Sequence, residues 1–169
     1  MAPNEVDQFI ELWDREAEKT VRLLRTLPTS QYDFRPDPDG RSLGELAWHL
    51  SEGDAYTTYC IEVGEFMPDV KPPGIERPRK VEELALGYER IHRDAVERAR
   101  KLEPADLDRS MFFFTKQAMT IRDLLWNMML LHNIHHRGEL VLMCRLAGGV
   151  PSGIYGPTRE EMRLLMAGG

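Results

Sequence analysis

Two histidines on one predicted helix have the spacing of metal ligands. His132 and His136 are four residues apart, so both imidazoles project from the same face of an α-helix within about one turn. The helices of zinc proteases use this spacing, but the glutamate that follows the first histidine there is missing from the run HNIHH. Two interpretations stay open: a divalent metal site, or a buried pair of hydrogen-bonded histidines.

A third ligand has to come from another helix, and His49 is the candidate. It lies on the inner edge of the predicted second helix, one turn from Leu46. Gly53 lies beside it and is expected to leave room for an ion. Taken alone, His49 is better explained as a hydrogen-bonded core histidine; the pair on the other helix is what favours a ligand role.

Glu139 is placed near the two histidines when the predicted fourth helix is projected with His132 at the centre. We therefore expect His132, His136 and Glu139 to face the core. Glu139 is compatible with three roles: an acceptor of a hydrogen bond from a ligand, a general base, or a fourth ligand. His92 and His135 are expected at the surface or beside the site rather than on the metal. The apolar residues on the same projected face are Ile121, Leu125, Met128, Met129, Met143 and Leu146.

Four long segments have apolar residues at three- and four-residue steps, which predicts four long helices. The predicted bounds are about 5–27, 43–65, 81–102 and 120–146. The second helix follows a capping box of Ser42 and Glu45, and a short helix from Arg159 follows a similar box. The run from Met111 to Thr115 is predicted to be short and extended.

The order of these segments predicts an all-α fold in a single domain of residues 1–169. We expect a four-helix bundle with a long crossover between helices two and three, plus a short C-terminal helix. The crossover is the Pro-rich stretch 66–80, which contains too many helix breakers for a regular element. A connection of this length allows helices two and three to run parallel.

Composition excludes several classes of protein. The chain has 169 residues, of which 42% are hydrophobic, and a net charge of −6, which argues against disorder and against a nucleic-acid-binding protein. No apolar stretch approaches the roughly 20 residues of a membrane span, and the N-terminus does not look like a signal peptide. The two cysteines fit a reducing compartment. We therefore expect a cytoplasmic protein with no nucleic-acid or membrane partner.

The chain resembles the DinB/YfiT-like family of metal-binding four-helix bundles. The residues that carry the resemblance are RSLGELAWHL (Arg41 to Leu50), the segment YDFRP before it, and HNIHHRGEL (His132 to Leu140). The resemblance implies a metal triad of His49, His132 and His136. It also implies a homodimer. The family often has glutamine where this chain has Glu139, so an extra negative charge is expected near the ion.

The resemblance further implies a metal-dependent enzyme, foremost a thiol S-transferase of the mycothiol or bacillithiol type. In this hypothesis the ion bound by the three histidines activates the thiol of a small cosubstrate. The alternatives are a hydrolase or isomerase that uses metal-bound water with help from Glu139, and a metal-binding stress or interaction protein without turnover. Zn²⁺ is the expected ion, with Ni²⁺, Fe²⁺ and Mn²⁺ as alternatives.

Overall fold

A computed structural model of the chain describes residues 4–114 and 117–168. The elements in chain order are α1 (Glu5–Leu24), α2 (Leu43–Val63), α3 (Val81–Ala99), a 3₁₀ helix (Pro104–Asp108), β1 (Ser110–Phe112), β2 (Ala118–Thr120), α4 (Ile121–Asp123), a π-helical segment (Leu124–Leu131), α5 (His132–Leu146) and α6 (Arg159–Ala167). The backbone stays helical from α4 through the π-helical segment into α5, so these three parts form one composite helix. The predicted helical bundle is confirmed, with a short hairpin added.

Helices α2 and α3 run parallel, as the long crossover predicted. Asp54 contacts His92, and Glu62, two turns further along α2, contacts Arg98 on α3. Both contacts advance toward the C-terminus of their helices, which requires the two helices to point the same way. The connection between them spans 64–80, and Trp48 donates a hydrogen bond from its indole to a carbonyl in that segment.

The ends of the helices follow local capping chemistry. The predicted capping box before α2 is present: the Ser42 hydroxyl accepts from the Glu45 backbone, and the Glu45 carboxylate accepts from the Ser42 backbone. The prediction that helix two reaches residue 65 was wrong, because Gly64 takes a left-handed conformation with φ of 90° and ends α2 at Val63. Helix three likewise ends at Ala99 rather than at residue 102.

The predicted extended run from residue 111 is part of an antiparallel hairpin. Strand β1 pairs with β2 so that Met111 lies opposite Met119. The described part of the run leaves the strand after Phe112, and Thr115, its predicted end, lies outside the described residues. The hairpin leads directly into the composite helix, whose first turn is capped by the Thr120 side chain.

A layer of polar side chains divides the bundle core into two apolar clusters. One cluster includes Trp48 and Leu140, and the other includes Phe9 and Leu125. Between them the helices contribute buried polar residues, namely Asp54, His92 and Asn133. Polar groups removed from water need hydrogen-bond partners, so this layer has to be internally paired. Among the described residues, no helix is long and apolar enough to cross a membrane.

The buried face of the composite helix differs from the face that the helical projection of the sequence predicted. The prediction that Glu139 and Leu146 face the core was wrong: both are exposed, Leu146 to 55%. The buried stripe of α5 consists instead of Asn133, Arg137, Leu140, Met143 and Cys144. The projection was centred on His132 because of its chemistry, whereas burial is set by the residues that contact α1 and α2. His132 and His136 consequently lie at the edge of the core, partly exposed.

Candidate metal centre

The structure brings together the three histidines that were selected as metal ligands. His49 projects from α2, and His132 and His136 project from one face of α5. The Nε2 atoms of His49 and His132 are 3.2 Å apart, and the ring centroids of His132 and His136 are 4.3 Å apart. One nitrogen from each of the three rings lies within 4.8 Å of the others. Metal binding by this cluster (below, the histidine cluster) stays a prediction.

Two of the three imidazoles are oriented by carboxylates on their own helices. His136 Nδ1 lies 2.6 Å from Glu139 Oε2, and His49 Nδ1 lies 3.1 Å from Glu52 Oε2. A carboxylate that accepts the proton of one ring nitrogen leaves the other nitrogen free for a metal. The expected role of Glu139 as an acceptor fits this geometry. Glu52 was missed, although it follows His49 by three residues as Glu139 follows His136, and that repeat was a usable signal.

The imidazoles on α5 are held in the neutral form that metal binding requires. Burial and the neighbouring rings of His136 and His49 lower the pKa of His132 to about 4. Burial also lowers the pKa of His136, although the hydrogen bond to Glu139 opposes this. A neutral imidazole keeps a nitrogen lone pair for coordination at neutral pH. The donor set, three imidazole nitrogens with carboxylates behind two of the rings, therefore fits a divalent ion such as Zn²⁺.

The histidine cluster opens into a cavity of about 480 Å³. An aromatic group covers one side of it, with the ring centroids of Phe66 and Phe113 5.1 Å apart and those of Phe113 and Phe114 4.8 Å apart. Arg41 and Tyr56 also line the cavity. A concave, largely apolar space with a few polar groups at one end is typical of small-molecule sites. Gly53 also borders this cavity, but the room beside it is taken by a side chain: a β-carbon there would come within 2.5 Å of Asn133 Oδ1.

The polar layer of the core lies directly behind the histidine cluster and was not predicted. Asp54, fully buried, accepts from Asn133 Nδ2 at 2.7 Å and from Trp13 Nε1 at 3.3 Å. Asn133 also donates to the Leu50 carbonyl at 3.2 Å. Because Asn133 follows His132 in sequence, these bonds fix α5 against α2 at the level of the cluster. A buried aspartate on a helix has no periodic signature that sequence reasoning could use.

The two remaining histidines have different environments. His135 is exposed and lies 3.3 Å from Glu139, as expected of a surface residue. His92 was expected at the surface or beside the site, but it is buried between two carboxylates: Nδ1 lies 3.1 Å from Asp54 Oδ2 and Nε2 lies 2.9 Å from Asp14 Oδ1. Its ring also meets Trp13 edge-on. His92 therefore belongs to the polar layer.

The pairing of His92 with two carboxylates predicts that protonation of His92 makes the stability of the fold depend on pH. Burial lowers the pKa of His92, but its bonds to Asp54 and Asp14 outweigh burial and raise the pKa above 6.5. A histidine whose pKa is higher in the folded than in the unfolded state stabilises the fold when it is protonated. This contribution is complete below the unfolded-state pKa and is lost as pH rises through the folded-state pKa. We expect His92→Gln to be destabilised relative to the parent by more at pH 6 than at pH 9, measured by urea unfolding. A difference that does not change with pH would contradict a charged His92.

The fold and the histidine cluster define a class, the four-helix bundles with a candidate metal site at the edge of the core. The DinB superfamily model matches residues 12–140, which is most of the chain, and the chain belongs to this superfamily. The uncharacterized protein YrdA of Bacillus subtilis strain 168 is 26% identical over 156 residues, which cover 92% of this chain and 91% of YrdA.

Three solved structures with this fold are proteins of Bacillus species. A DinB-like protein from Bacillus cereus ATCC 10987 has a TM-score of 0.70 at 25% identity and covers 87% of this chain and 95% of its own. YjoA, a DinB-like protein of Bacillus subtilis, has a TM-score of 0.70 at 21% identity and covers 90% and 99%. YfiT of Bacillus subtilis, described as a probable metal-dependent hydrolase with an unusual four-helix bundle topology, has a TM-score of 0.67 at 15% identity and covers 88% and 94%. At these last two identities the likeness shows the fold alone.

Proposed function

We propose that the protein is a metal-dependent thiol S-transferase in which His49, His132 and His136 bind a divalent ion that lowers the pKa of a cosubstrate thiol. The observation that carries the proposal is the convergence of three imidazoles at one end of a largely apolar cavity. Three protein ligands leave a coordination position for a substrate, as in catalytic zinc sites. The cosubstrate is a small thiol of the mycothiol or bacillithiol type.

The carboxylates around the cluster favour a thiol over water as the nucleophile. Water needs a general base more than a thiol does, because a free thiol already ionises near pH 8.5. Both oxygens of Glu52 are engaged, one by His49 and the other by Arg77. The hydrogen bond from His136 lowers the pKa of Glu139, and that side chain is half-exposed. Neither carboxylate is therefore well suited to remove a proton from water in the cavity.

The apolar wall would hold the second substrate. Phe66, Phe113 and Phe114 provide flat apolar surface for an electrophile with an apolar body and exclude water from it. In the reaction the thiol proton passes to solvent, the sulfur forms a bond to the electrophilic carbon, and the leaving group departs with the electron pair. An assay has to distinguish this reaction from two alternatives. One is hydrolysis or isomerisation with metal-bound water, and the other is metal binding without turnover.

The proposal is tested by comparing thiol-dependent and thiol-independent turnover in protein reconstituted with Zn²⁺ or Ni²⁺. We expect 1-chloro-2,4-dinitrobenzene to be conjugated to mycothiol or bacillithiol at a rate above the uncatalysed reaction, and p-nitrophenyl acetate to be stable when no thiol is present. His49→Ala is expected to bring conjugation to the uncatalysed rate, and His135→Ala is the control that retains it. Ester hydrolysis without thiol would favour the hydrolase, and metal uptake without either activity would favour a binding protein.

A further inference from the structure

One arginine at the histidine cluster forms no hydrogen bond or ion pair with the described residues. The exposed Arg41 lines the same cavity as His132 and His136. Within 4–114 and 117–168, no hydrogen bond or ion pair involves its guanidinium group, whereas two nearby arginines are neutralised. Arg35 lies 2.8 Å from Glu45, and Arg77 lies 3.0 Å from Glu52. Arg41 therefore contributes a positive charge at the cavity that no described residue pairs directly, although it lies near enough to Glu139 to assist the hydrogen bond from His136 in lowering the pKa of that carboxyl group.

The remaining charges leave this end of the cavity electropositive. Glu52 is the one carboxylate among the described residues that line the cavity, and Arg77 already neutralises it. Glu139 lies outside the lining and binds His136. A divalent ion bound by the histidine cluster would add its charge to that of Arg41. Such an arrangement attracts an anionic ligand group, and the one carboxylate in the described lining, Glu52, is already paired with Arg77.

The two ends of the cavity differ in chemistry. Arg41 and the histidine cluster form a polar, positive end, and the three phenylalanines form an apolar wall. We propose that the electrophilic substrate is an apolar, aromatic-type molecule that carries a carboxylate, and that Arg41 binds this carboxylate. A planar guanidinium can donate two parallel hydrogen bonds to a carboxylate, which fixes its orientation as well as its charge. The proposal names the substrate class of the proposed transferase and rests on that function.

The test measures binding in metal-free protein, so that direct coordination of a carboxylate to an ion does not contribute. The probe is 4-chloro-3-nitrobenzoate, compared with 4-chloro-3-nitrobenzamide, which has the same ring but no charge. We expect the benzoate to bind more tightly and Arg41→Gln to raise its Kd by about ten-fold or more, the usual scale of a hydrogen bond to a charged group. Arg41→Lys should retain part of the affinity. Arg35→Gln, which loses a paired arginine, is the matched control and should bind as the parent does.

Further outcomes separate this proposal from the proposed function. Affinity of the parent for the benzoate should fall as salt rises, and that of Arg41→Gln should depend less on salt. Equal affinity for benzoate and benzamide, or an unchanged Kd in Arg41→Gln, would overturn the carboxylate site. If Arg41-dependent binding is found but neither probe is conjugated to a thiol in metal-loaded protein, the carboxylate site stands and the transferase reaction fails.

Discussion

His132→Ala is expected to weaken Zn²⁺ or Ni²⁺ binding by more than about 100-fold. Loss of a residue that only orients a ligand already costs about 10–100-fold in metal affinity, and loss of the ligand itself removes a bond to the ion. The His132 ring lies close to both of the others, 3.2 Å from His49 through the two Nε2 atoms and 4.3 Å from His136 between centroids. The measurement is metal content by mass spectrometry of tag-free protein, followed by a competition titration with a chelator.

A matched control is available because the described residues contain two groups of side chains with the spacing to hold an ion. One is the histidine cluster, and the other consists of His135, His136 and Glu139 on the outer face of α5. The His135→Ala variant leaves the histidine cluster complete and should keep about one ion per chain. Metal retained in His132→Ala and lost in His135→Ala would move the site to the surface of α5. Absence of metal in the parent, even after reconstitution, would contradict the metal centre.

Arg137→Met is expected to lower the free energy of unfolding by about 3–5 kcal/mol, the usual cost of leaving one partner of a buried ion pair behind. The Arg137 side chain is buried between α5 and α1, where it forms an ion pair with Glu16 and donates to the Glu16 carbonyl at 2.8 Å. It also donates to the Tyr155 hydroxyl at 2.6 Å. Methionine fills similar space but leaves the buried Glu16 carboxylate with fewer donors. Urea unfolding followed by circular dichroism measures the difference.

The same ion pair also predicts how stability changes at low pH. Burial raises the pKa of Glu16, but hydrogen bonds from Lys19, Tyr155 and Arg137 outweigh it and lower the pKa to about 2. The ion pair therefore stabilises the fold fully above the unfolded-state pKa of 4.5, and this contribution is lost as pH falls toward 2. The difference in the free energy of unfolding between the parent and Arg137→Met should therefore become smaller as pH falls from 5 to 3. A difference that does not depend on pH would argue against an ionised Glu16.

A second variant checks that burial of the pair, rather than its charge alone, causes the effect. Arg25 forms an ion pair with Glu89 at 2.7 Å between α1 and α3, but the Arg25 side chain is 59% exposed. Exposed ion pairs contribute about 0–1 kcal/mol because water screens them. Arg25→Met should therefore unfold close to the parent. Equal losses in the two variants would contradict the explanation.

Much of the fold was predictable because helix periodicity and capping are local. The predicted caps at Ser42 and Thr158 are present in the structure, and the Pro-rich crossover correctly predicted the parallel pair of helices. The pair His132 and His136 was also found by spacing, because four residues on a helix place two rings on one face whatever the tertiary context. His49 was added from its position on another helix and from the family resemblance. Local sequence signals were sufficient for features that depend on one helix alone.

The polar layer and the orientation of α5 were not predictable, because both depend on several elements at once. Asp54 is buried as a carboxylate only because Trp13, His92 and Asn133 reach it from three other helices. No periodic pattern distinguishes such an aspartate from one at the surface. Arg137 is a second example, because its buried position follows from its ion pair with Glu16 on α1, which no pattern within α5 indicates.

The π-helical segment changes the face of the composite helix on which each residue lies. Its buried residues, Leu124, Leu125, Met129 and Leu130, repeat at a spacing of five, whereas five residues of an α-helix overshoot a full circle by about 140°. The segment thus behaves as an insertion that the helix has absorbed, as π-bulges near functional sites often do. Within this segment, the number of residues between two side chains no longer gives the angle between them around the helix axis at 100° per residue. A helical wheel drawn at 100° per residue across the segment therefore places the residues before it, such as Ile121, about a quarter turn out of position relative to His132.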